Sequence, residues 1–300
     1  MYDYDGRTGY EPISDVDRKE FHEQGFLLLR GVLTEEHRAA LEQAVDRIHG
    51  RATATGNTGA DGSLHLLGFL ERDHLFGDLL THPVTFPYVW GLLGWNIYTH
   101  HHHLDVTPPA REPERPYWGW HQDGYRQNSD PETLDPAVPR PMFSLKVAYV
   151  LSDLTETGRG ATKIIPGSQV RNSLPRPDDV SAHHPDPAGT VEITAEPGDA
   201  FVFDRRLWHS RSTNRSAITR KMLFVGYTYR WIRPLDDLHV DREGPWWAAR
   251  TPVQRQLLGD GKHTANYWGI NWDGHVDDDI PLRQELKHRG LLDRRIPWLR

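Results

Sequence analysis

The sequence predicts a mainly β domain, a sandwich or barrel entered through helices, and three observations carry that prediction. Five β-branched or aromatic runs bounded by Gly, Pro, Asp or Asn fill the middle of the chain, the pattern of short strands joined by turns. The clearest amphipathic stripe at helical spacing lies within the first fifty residues. No internal repeat or heptad pattern competes with this reading.

In chain order, Ser14 with Asp17 three residues on predicts a capping box that opens a helix, and Gly25 predicts its close. Phe26 to Leu29 reads as a short apolar strand. Thr34 caps a second helix, whose Leu41, Ala44, Val45 and Ile48 recur at i, i+3, i+4 and i+7, and Gly50 is expected to end it. Residues 51–63, rich in Gly, Thr, Asn and Asp, read as a loop. From about Leu79 to Leu93 short helical turns are expected, interrupted at Pro83 and Pro87. The strand runs are Tyr98 to Val106, Phe143 to Leu151, Val191 to Ala195, Ala200 to Phe203 and Met222 to Tyr229. Two polar, Pro-rich connections, 126–141 and 171–189, exceed the usual loop length and have the character of lids or disordered segments. From about Arg230 the chain is irregular and rich in Trp and Asp, and it is read as a cap on the barrel mouth. The expected organisation is one domain over 1–300, with N-terminal helices at about 14–93, a β core at about 95–230 and a C-terminal cap at about 231–300.

Composition narrows the function. A net charge of −7 gives no global attraction to phosphate backbones, and no Lys/Arg run with interleaved aromatics appears, which argues against nucleic acid as a partner. With no cysteine, disulfides, thiolate metal sites and Cys nucleophiles are excluded, so every metal ligand must be His, Asp or Glu. Met1 to Tyr10 lacks a basic and apolar leader pattern, and no apolar stretch approaches the length of a membrane span. A cytoplasmic protein with no membrane partner is expected. The oligomeric state has no signal in the sequence.

Two short stretches far apart carry the chemistry. On an extended strand, residues two apart face the same way, so His121 and Asp123 can offer one imidazole nitrogen and one carboxylate oxygen to a single metal. His209 would complete the set. Two His and one carboxylate on one face of a metal leave the opposite positions open, as O2 chemistry at non-haem Fe(II) requires. Arg220, eleven residues beyond His209, shares a strand face with Met222 and Phe224, and an Arg in such company needs an anion.

Read in order, Trp118-Gly-Trp-His121-Gln-Asp123-Gly, Gly160-Ala-Thr-Lys-Ile-Ile-Pro-Gly-Ser168 and Pro197-Gly-Asp-Ala-Phe-Val-Phe-Asp204, followed by His209 and Arg220, resemble the phytanoyl-CoA dioxygenase family. The resemblance runs from about Phe21 to Tyr229. It implies a double-stranded β-helix (jelly-roll, cupin-like) core, Fe(II) as metal, 2-oxoglutarate as cosubstrate and O2. It implies further that His121, Asp123 and His209 hold the iron while Arg220 grips the far carboxylate of 2-oxoglutarate, a pairing suited to a guanidinium fork. By comparison with relatives aligned on Pro108-Pro109, His103 lies beside the cosubstrate. Lys146 shares a strand face with Ser144, Ala148 and Val150, the face that in relatives looks into the barrel. It is expected to touch 2-oxoglutarate or an acidic substrate group. Within the run His100 to His103, strand alternation is expected to turn at most two imidazoles inward.

One departure from the family pattern stands out. Many members carry Ser or Thr two residues after the distal His, bonding the cosubstrate carboxylate, whereas this chain has Arg211 between Ser210 and Ser212. Either Ser212 or Thr213 supplies that bond, or Arg211 contributes to an anionic pocket. Asn214 and Ser216 match the usual pattern. Trp118, Tyr125 and Arg126 flank the metal motif and, with Arg211, are candidate substrate-pocket residues. The resemblance implies an oxygenase that hydroxylates an unactivated C–H bond of a small molecule, releasing succinate and CO2. Desaturation, epimerisation and cyclisation are alternative outcomes, and a non-catalytic cupin-like binding module is the alternative from another class. A halogenase of similar fold would carry Gly or Ala at position 123, so Asp123 argues against it. Phytanoyl-CoA itself is not implied, since no basic groove for a CoA group is legible.

Overall fold

A computed structural model describes residues 2–110, 118–123, 138–180, 182–236, 240–260 and 280–292. Among these, α1 (Asp15–Gln24) starts where Ser14 Oγ accepts from the Asp17 backbone N–H at 3.0 Å, and it ends at Gly25, whose φ of 82° is left-handed. Strand β1 (Phe26–Leu29) and helix α2 (Glu35–Ala54) follow, then β2 (Leu64–Leu67), α3 (Phe86–Leu93) and β3 (Ile97–Thr107). Next come β4 (Ser144–Val150), β5 (Thr162–Ile164), β6 (Val191–Glu192), β7 (Ala200–Asp204), β8 (His209–Arg211) and β9 (Arg220–Tyr229). Three short helices, α4 (Pro245–Ala248), α5 (Pro252–Leu257) and α6 (Pro281–His288), complete the described α-helices, and 3-10 turns span Leu70–Arg72, His74–Thr81 and Ser168–Val170.

The strands form a six-stranded antiparallel sheet, in the order β1-β7-β4-β9-β3-β2, and a three-stranded sheet, β6-β5-β8. Together they make the jelly roll. Side-chain alternation gives the large sheet two different faces. Leu104, Leu145, Val147, Tyr149, Val202, Leu223 and Val225 point outward into one buried cluster with Phe21, Leu41, Val45, Leu79 and Val89 from the helical layer. Ala148, Val150, Phe201, Phe203, Met222 and Phe224 point the other way and meet Ile164, Ile193 and Leu207 from the small-sheet side. The interior of the roll is therefore closed at one part by apolar packing and left to polar residues elsewhere.

Several expectations need correction. Helix α2 runs past Gly50 to Ala54, because a helical Gly is destabilising by only about 1 kcal/mol and Ala52 and Ala54 favour continuation. Pro87 starts α3 rather than interrupting it, since a first-turn proline gives up no helical hydrogen bond. The run from Val191 is a two-residue strand followed by a single bridge from Ala195 to Leu154. Strands β2, β5 and β8 were not foreseen; at three or four residues they are too short for alternation to register. The described C-terminal helices pack on the helical side, where Trp247 and Leu257 join the outer cluster, while Asp236 ahead of them reaches the inward His101 at 2.8 Å. Trp268 and most of the 126–141 connection lie outside the described residues.

Candidate metal centre

The His121 segment is not a regular strand. It lies against β8 through a single two-way bridge, His121 N–H to His209 O and His209 N–H to His121 O, both 3.0 Å, and Asp123 N–H donates to Arg205 O at 2.8 Å. Backbone pairing thus brings the two distant motifs face to face, with ring centroids of His121 and His209 4.3 Å apart. Nδ1 of His121 bonds Gly119 O at 2.6 Å and Nδ1 of His209 bonds Leu207 O at 2.8 Å. A carbonyl only accepts, so each ring carries its proton on Nδ1 and turns the Nε2 lone pair toward Asp123. His121 Nε2 is 3.8 Å from Asp123 Oδ1 and His209 Nε2 is 3.7 Å from Oδ2. The three donor atoms lie within 4.8 Å of one another, as ligands of one ion do. Burial lowers the His209 pKa to about 3, so the ring is neutral and ready to coordinate. Burial alone would raise the Asp123 carboxyl, but Lys146 and Arg205 hold it well below the usual range and ionised.

Lys146 faces the interior as expected, yet its Nζ sits 2.6 Å from Asp123 Oδ2, on the metal-ligand candidate itself. Arg205, 1% exposed, approaches the same oxygen at 3.5 Å. Gly226 makes room for this arrangement. It pairs with Lys146 across β4 and β9, and a Cβ there would stand 2.9 Å from His101 O and 3.5 Å from Lys146 Cγ. A register shift between Thr99 and His101 adds a bulge at His100, so His100 meets Arg205 inside the roll while His101 and His103 also face inward. Three imidazoles of the run reach the interior, not two. His103 stacks on Phe224 with centroids 4.4 Å apart, and its Nδ1 is 2.9 Å from His101 Nε2, which is tied through Nδ1 to Asp236 at 2.8 Å.

Further along the same face, Arg220 is 1% exposed, its Nη1 is 3.4 Å from Asp105 Oδ2, and its Nε has no hydrogen-bond partner among the described residues. Burial lowers the Arg220 pKa to about 10, still charged at neutral pH. Gly160 lets the stem pass, because a Cβ there would lie 3.1 Å from Arg220 Cδ. Asp105 is also bonded to His65 Nδ1 at 2.7 Å. His65, His103 and Asp105 have metal-ligand spacing as well, but a cation there would face the Arg220 guanidinium, which makes the His121 group the better candidate.

Other predicted residues are placed differently. Ser212 bonds Glu192 at 2.7 Å, on the side of the small sheet opposite to His209. The reason is strand parity: Ile164, an interior residue, pairs with His209, and Thr162 pairs with Arg211, whereas Ser210 pairs with outward Lys163. Arg211 reaches across to Thr107 Oγ1 at 3.2 Å. Trp118 lines a cavity of about 700 Å³ with Trp120, Lys163, Asp186, Glu192 and Arg211, a cavity that none of the three metal-ligand candidates lines. Tyr125 and Arg126 lie outside the described residues. Sequence reasoning missed Asp105, legible by stepping two residues from His103 along the strand, and Arg205, which sits in a turn where no periodicity applies.

The family model of phytanoyl-CoA dioxygenase (PhyH) matches residues 21–222, a span that holds the three ligand candidates and Arg220. This chain belongs to the phytanoyl-CoA dioxygenase family. Curated relatives include dioxygenase af480 of Aspergillus fumigatus, 27% identical over 62% of this chain and 52% of that protein, and dioxygenase trt7 of Aspergillus terreus, 25% identical over 79% and 80%. The match thus spans about half the length of the first of these and most of the second. Among solved structures, EctD from S. alaskensis with 2-oxoglutarate and 5-hydroxyectoine aligns with a TM-score of 0.57 at 22% identity, covering 81% of this chain and 86% of that one. The 2-oxoglutarate-dependent carbocyclase SnoK of nogalamycin biosynthesis aligns at 0.55 and 20%, covering 80% and 94%. The epimerase SnoN in complex with Fe3+, 2-oxoglutarate and a nogalamycin aligns at 0.52 and 18%, covering 73% and 86%. At these identities the structural likeness establishes the jelly-roll fold that the PhyH family shares.

Proposed function

We propose that this PhyH-family protein is an Fe(II)- and 2-oxoglutarate-dependent oxygenase that hydroxylates a C–H bond of a small molecule. The observation that carries the reading is the convergence of two Nε2-facing imidazoles and one carboxylate, with a buried guanidinium on the facing large sheet whose Nε–H has no partner among the described residues. That donor set suits Fe(II). The unpaired N–H suits a carboxylate, because a buried donor without a partner is destabilising by about 1–3 kcal/mol until one arrives. When bound, Fe(II) and 2-oxoglutarate supply the oxidising chemistry, O2 being reduced and the keto acid leaving as succinate and CO2.

The chain's own residues do the placing. His121, Asp123 and His209 hold the metal on one side, their Nδ1 and carboxylate partners preventing rotation. Arg220 takes the distal carboxylate, and His103, flat against Phe224, bounds the chamber between them. The outer apolar cluster keeps the large sheet rigid behind these groups. Epimerisation or ring closure is the second reading, favoured by the likeness to SnoN and SnoK, because the fate of the activated carbon depends on substrate placement. Residues 1–300 act as one domain in this reading. No helix among the described residues is long and apolar enough to cross a membrane, and a cytoplasmic location is part of the proposal.

The test is succinate release from 2-oxoglutarate under air with Fe(II), screened against a library of small molecules. Stimulation by a substrate, lost in Asp123→Ala and His209→Ala, is the expected result. Succinate release that survives both substitutions would remove the proposal, and metal binding without any 2-oxoglutarate dependence would favour a binding module.

A further inference from the structure

The segment that follows β9 returns to the edge of β3 that faces away from β9. Strand β2 covers that edge only as far as His103, which pairs with Leu67, and Gly68 N–H reaches His102 O at 3.1 Å. Past that point the returning segment takes over. Leu235 and Asp236 donate their N–H groups to His100 O at 3.0 and 3.2 Å, and Asp236 Oδ2 accepts from His102 N–H at 3.1 Å. The other carboxylate oxygen, Oδ1, is 2.8 Å from His101 Nδ1, and that ring's Nε2 is 2.9 Å from His103 Nδ1. The Asp236 side chain is 7% exposed, and it lies beyond the span of residues 21–222 that this chain shares with its family. One carboxylate thus anchors two imidazoles in series along the interior of the roll.

The protons of this series can be placed. Burial alone would raise the Asp236 carboxyl, but its hydrogen bond from His101 outweighs that and keeps it ionised. An ionised carboxylate only accepts, so His101 carries its proton on Nδ1. Burial is the main cause that lowers the pKa of both rings, helped by Lys146 and Arg205 near His101 and by Lys146 near His103, against the opposing pull of Asp236 and Asp105. Both rings are therefore neutral, with one N–H each. His101 Nε2 is then an acceptor, His103 donates to it from Nδ1, and His103 Nε2 is left without a proton. That bare nitrogen stands 4.0 Å from Asp105 Oδ2, a second acceptor. Two buried acceptors side by side suit a hydroxyl, an amine or a water, and they disfavour a carboxylate.

We propose that Asp236 is a positioning residue that fixes the rings of His101 and His103 and the place of their protons, so that the chamber wall at His103 accepts a hydrogen bond from a hydroxyl or amine of the substrate and does not bond 2-oxoglutarate. The positioning stands on the geometry of the three side chains; the reservation of the wall for the substrate rests on the 2-oxoglutarate reading given above.

Asp236→Asn tests the placement, because His102 N–H holds the amide oxygen and so turns the amide NH2 toward His101. His101 Nδ1 must then accept, both protons change nitrogen, and His103 offers Nε2–H to the chamber. The experiment reads the imidazole nitrogen NMR shifts of the labelled full chain loaded with diamagnetic Zn(II), assigned with His101→Gln and His103→Gln, and measures the anaerobic dissociation constant of 2-oxoglutarate with Fe(II) in place. Wild type is expected to show N–H at Nδ1 and a bare Nε2 in both rings. Asp236→Asn is expected to show the reverse and to bind 2-oxoglutarate about three- to tenfold more tightly, since a donor then faces a carboxylate ligand. A gain in affinity cannot come from a damaged fold. Asp236→Glu should keep the wild-type pattern, and Asp236→Ala should lose it without any gain. A wild-type Nε2–H at His103, or an Asp236→Asn pattern like that of wild type, would overturn the positioning. Reversed protons with 2-oxoglutarate bound no more tightly would overturn the reservation of the wall. Failure of the underlying reading looks different: wild type that binds no 2-oxoglutarate while its imidazole pattern is as expected removes the reservation and upholds the positioning.

Discussion

The two faces of the large sheet are built from alternate residues of the same strands, and they do opposite work. On β4, Leu145, Val147 and Tyr149 enter the outer cluster against the helices, whereas Lys146, between them, reaches Asp123 inside the roll. On β9, Leu223 and Val225 face the helices, while Arg220 and Phe224 face the interior of the roll. The outer face is mostly hydrocarbon, whose burial drives folding, and the Tyr149 and Tyr227 hydroxyls on it are hydrogen-bonded. The inner face holds Lys146, His103, Asp105 and Arg220, groups whose burial opposes folding unless they are paired. The comparison teaches that stability and chemistry are separable here at single-residue spacing. Substitutions on one face should register in unfolding and those on the other in cosubstrate handling.

That separation can be broken at four places, from the largest expected effect to the smallest. His209→Ala should reduce 2-oxoglutarate turnover by at least about a thousandfold, as loss of one member of a catalytic unit does, with little change in thermal midpoint. A variant that keeps most of its turnover would detach the metal from the interior of the roll, into which His209 points from the small sheet. Leu223→Ala, at a site with 0% exposure, should lower unfolding free energy by about 2–5 kcal/mol in urea titration while the KM for 2-oxoglutarate holds. If KM moved instead, the two faces would not be independent. Arg220→Gln should raise that KM by about 10- to 100-fold, the loss of a charged carboxylate contact, with the unfolding midpoint unchanged or raised because a buried charge is removed.

The smallest effect concerns pH and belongs to the helical side. His37 and His82 are buried next to each other, and burial lowers their pKa values to about 4 and about 3 from 6.5. Both stay neutral in the fold. The unfolded chain takes up their protons below pH 6.5, so it binds more protons than the native state and stability falls as pH drops from 6.5 toward 4. His82→Gln should make that decline shallower by up to about 1.4 kcal/mol per pH unit, read from urea midpoints across the range, with 2-oxoglutarate binding unaffected. An unchanged slope would remove burial of His82 as a source of acid sensitivity.

Strand alternation is also why so much of the site was legible before any coordinates. Period two put Lys146 on one face with Ser144, Ala148 and Val150 and set Arg220 beside Phe224, the family resemblance implied that the Lys146 face looks inward, and the ordered motifs supplied the three ligand candidates. What stayed hidden depended on register between segments. The bulge at His100 breaks the alternation that limited the His run to two inward rings. Arg205 reaches Asp123 from a turn, where no period operates. Asp105 follows the period, yet its meeting with Arg220 depends on the β3–β9 pairing, which a single sequence does not display. That Arg211 shares the side of His209 likewise depends on register, here its pairing with Thr162 two residues from Ile164.

The central claim is that one ferrous ion and one molecule of 2-oxoglutarate share the chamber between His209 and Arg220. Anaerobic titration of the protein with Fe(II), with 2-oxoglutarate, and with both tests it most directly, because a keto acid chelated to ferrous iron gives a weak visible charge-transfer band. The account predicts a band that appears only when both are present, saturates at one equivalent of iron, and is absent in Asp123→Ala. A protein that shows no such band with both present, or an equal band without Asp123, would contradict it.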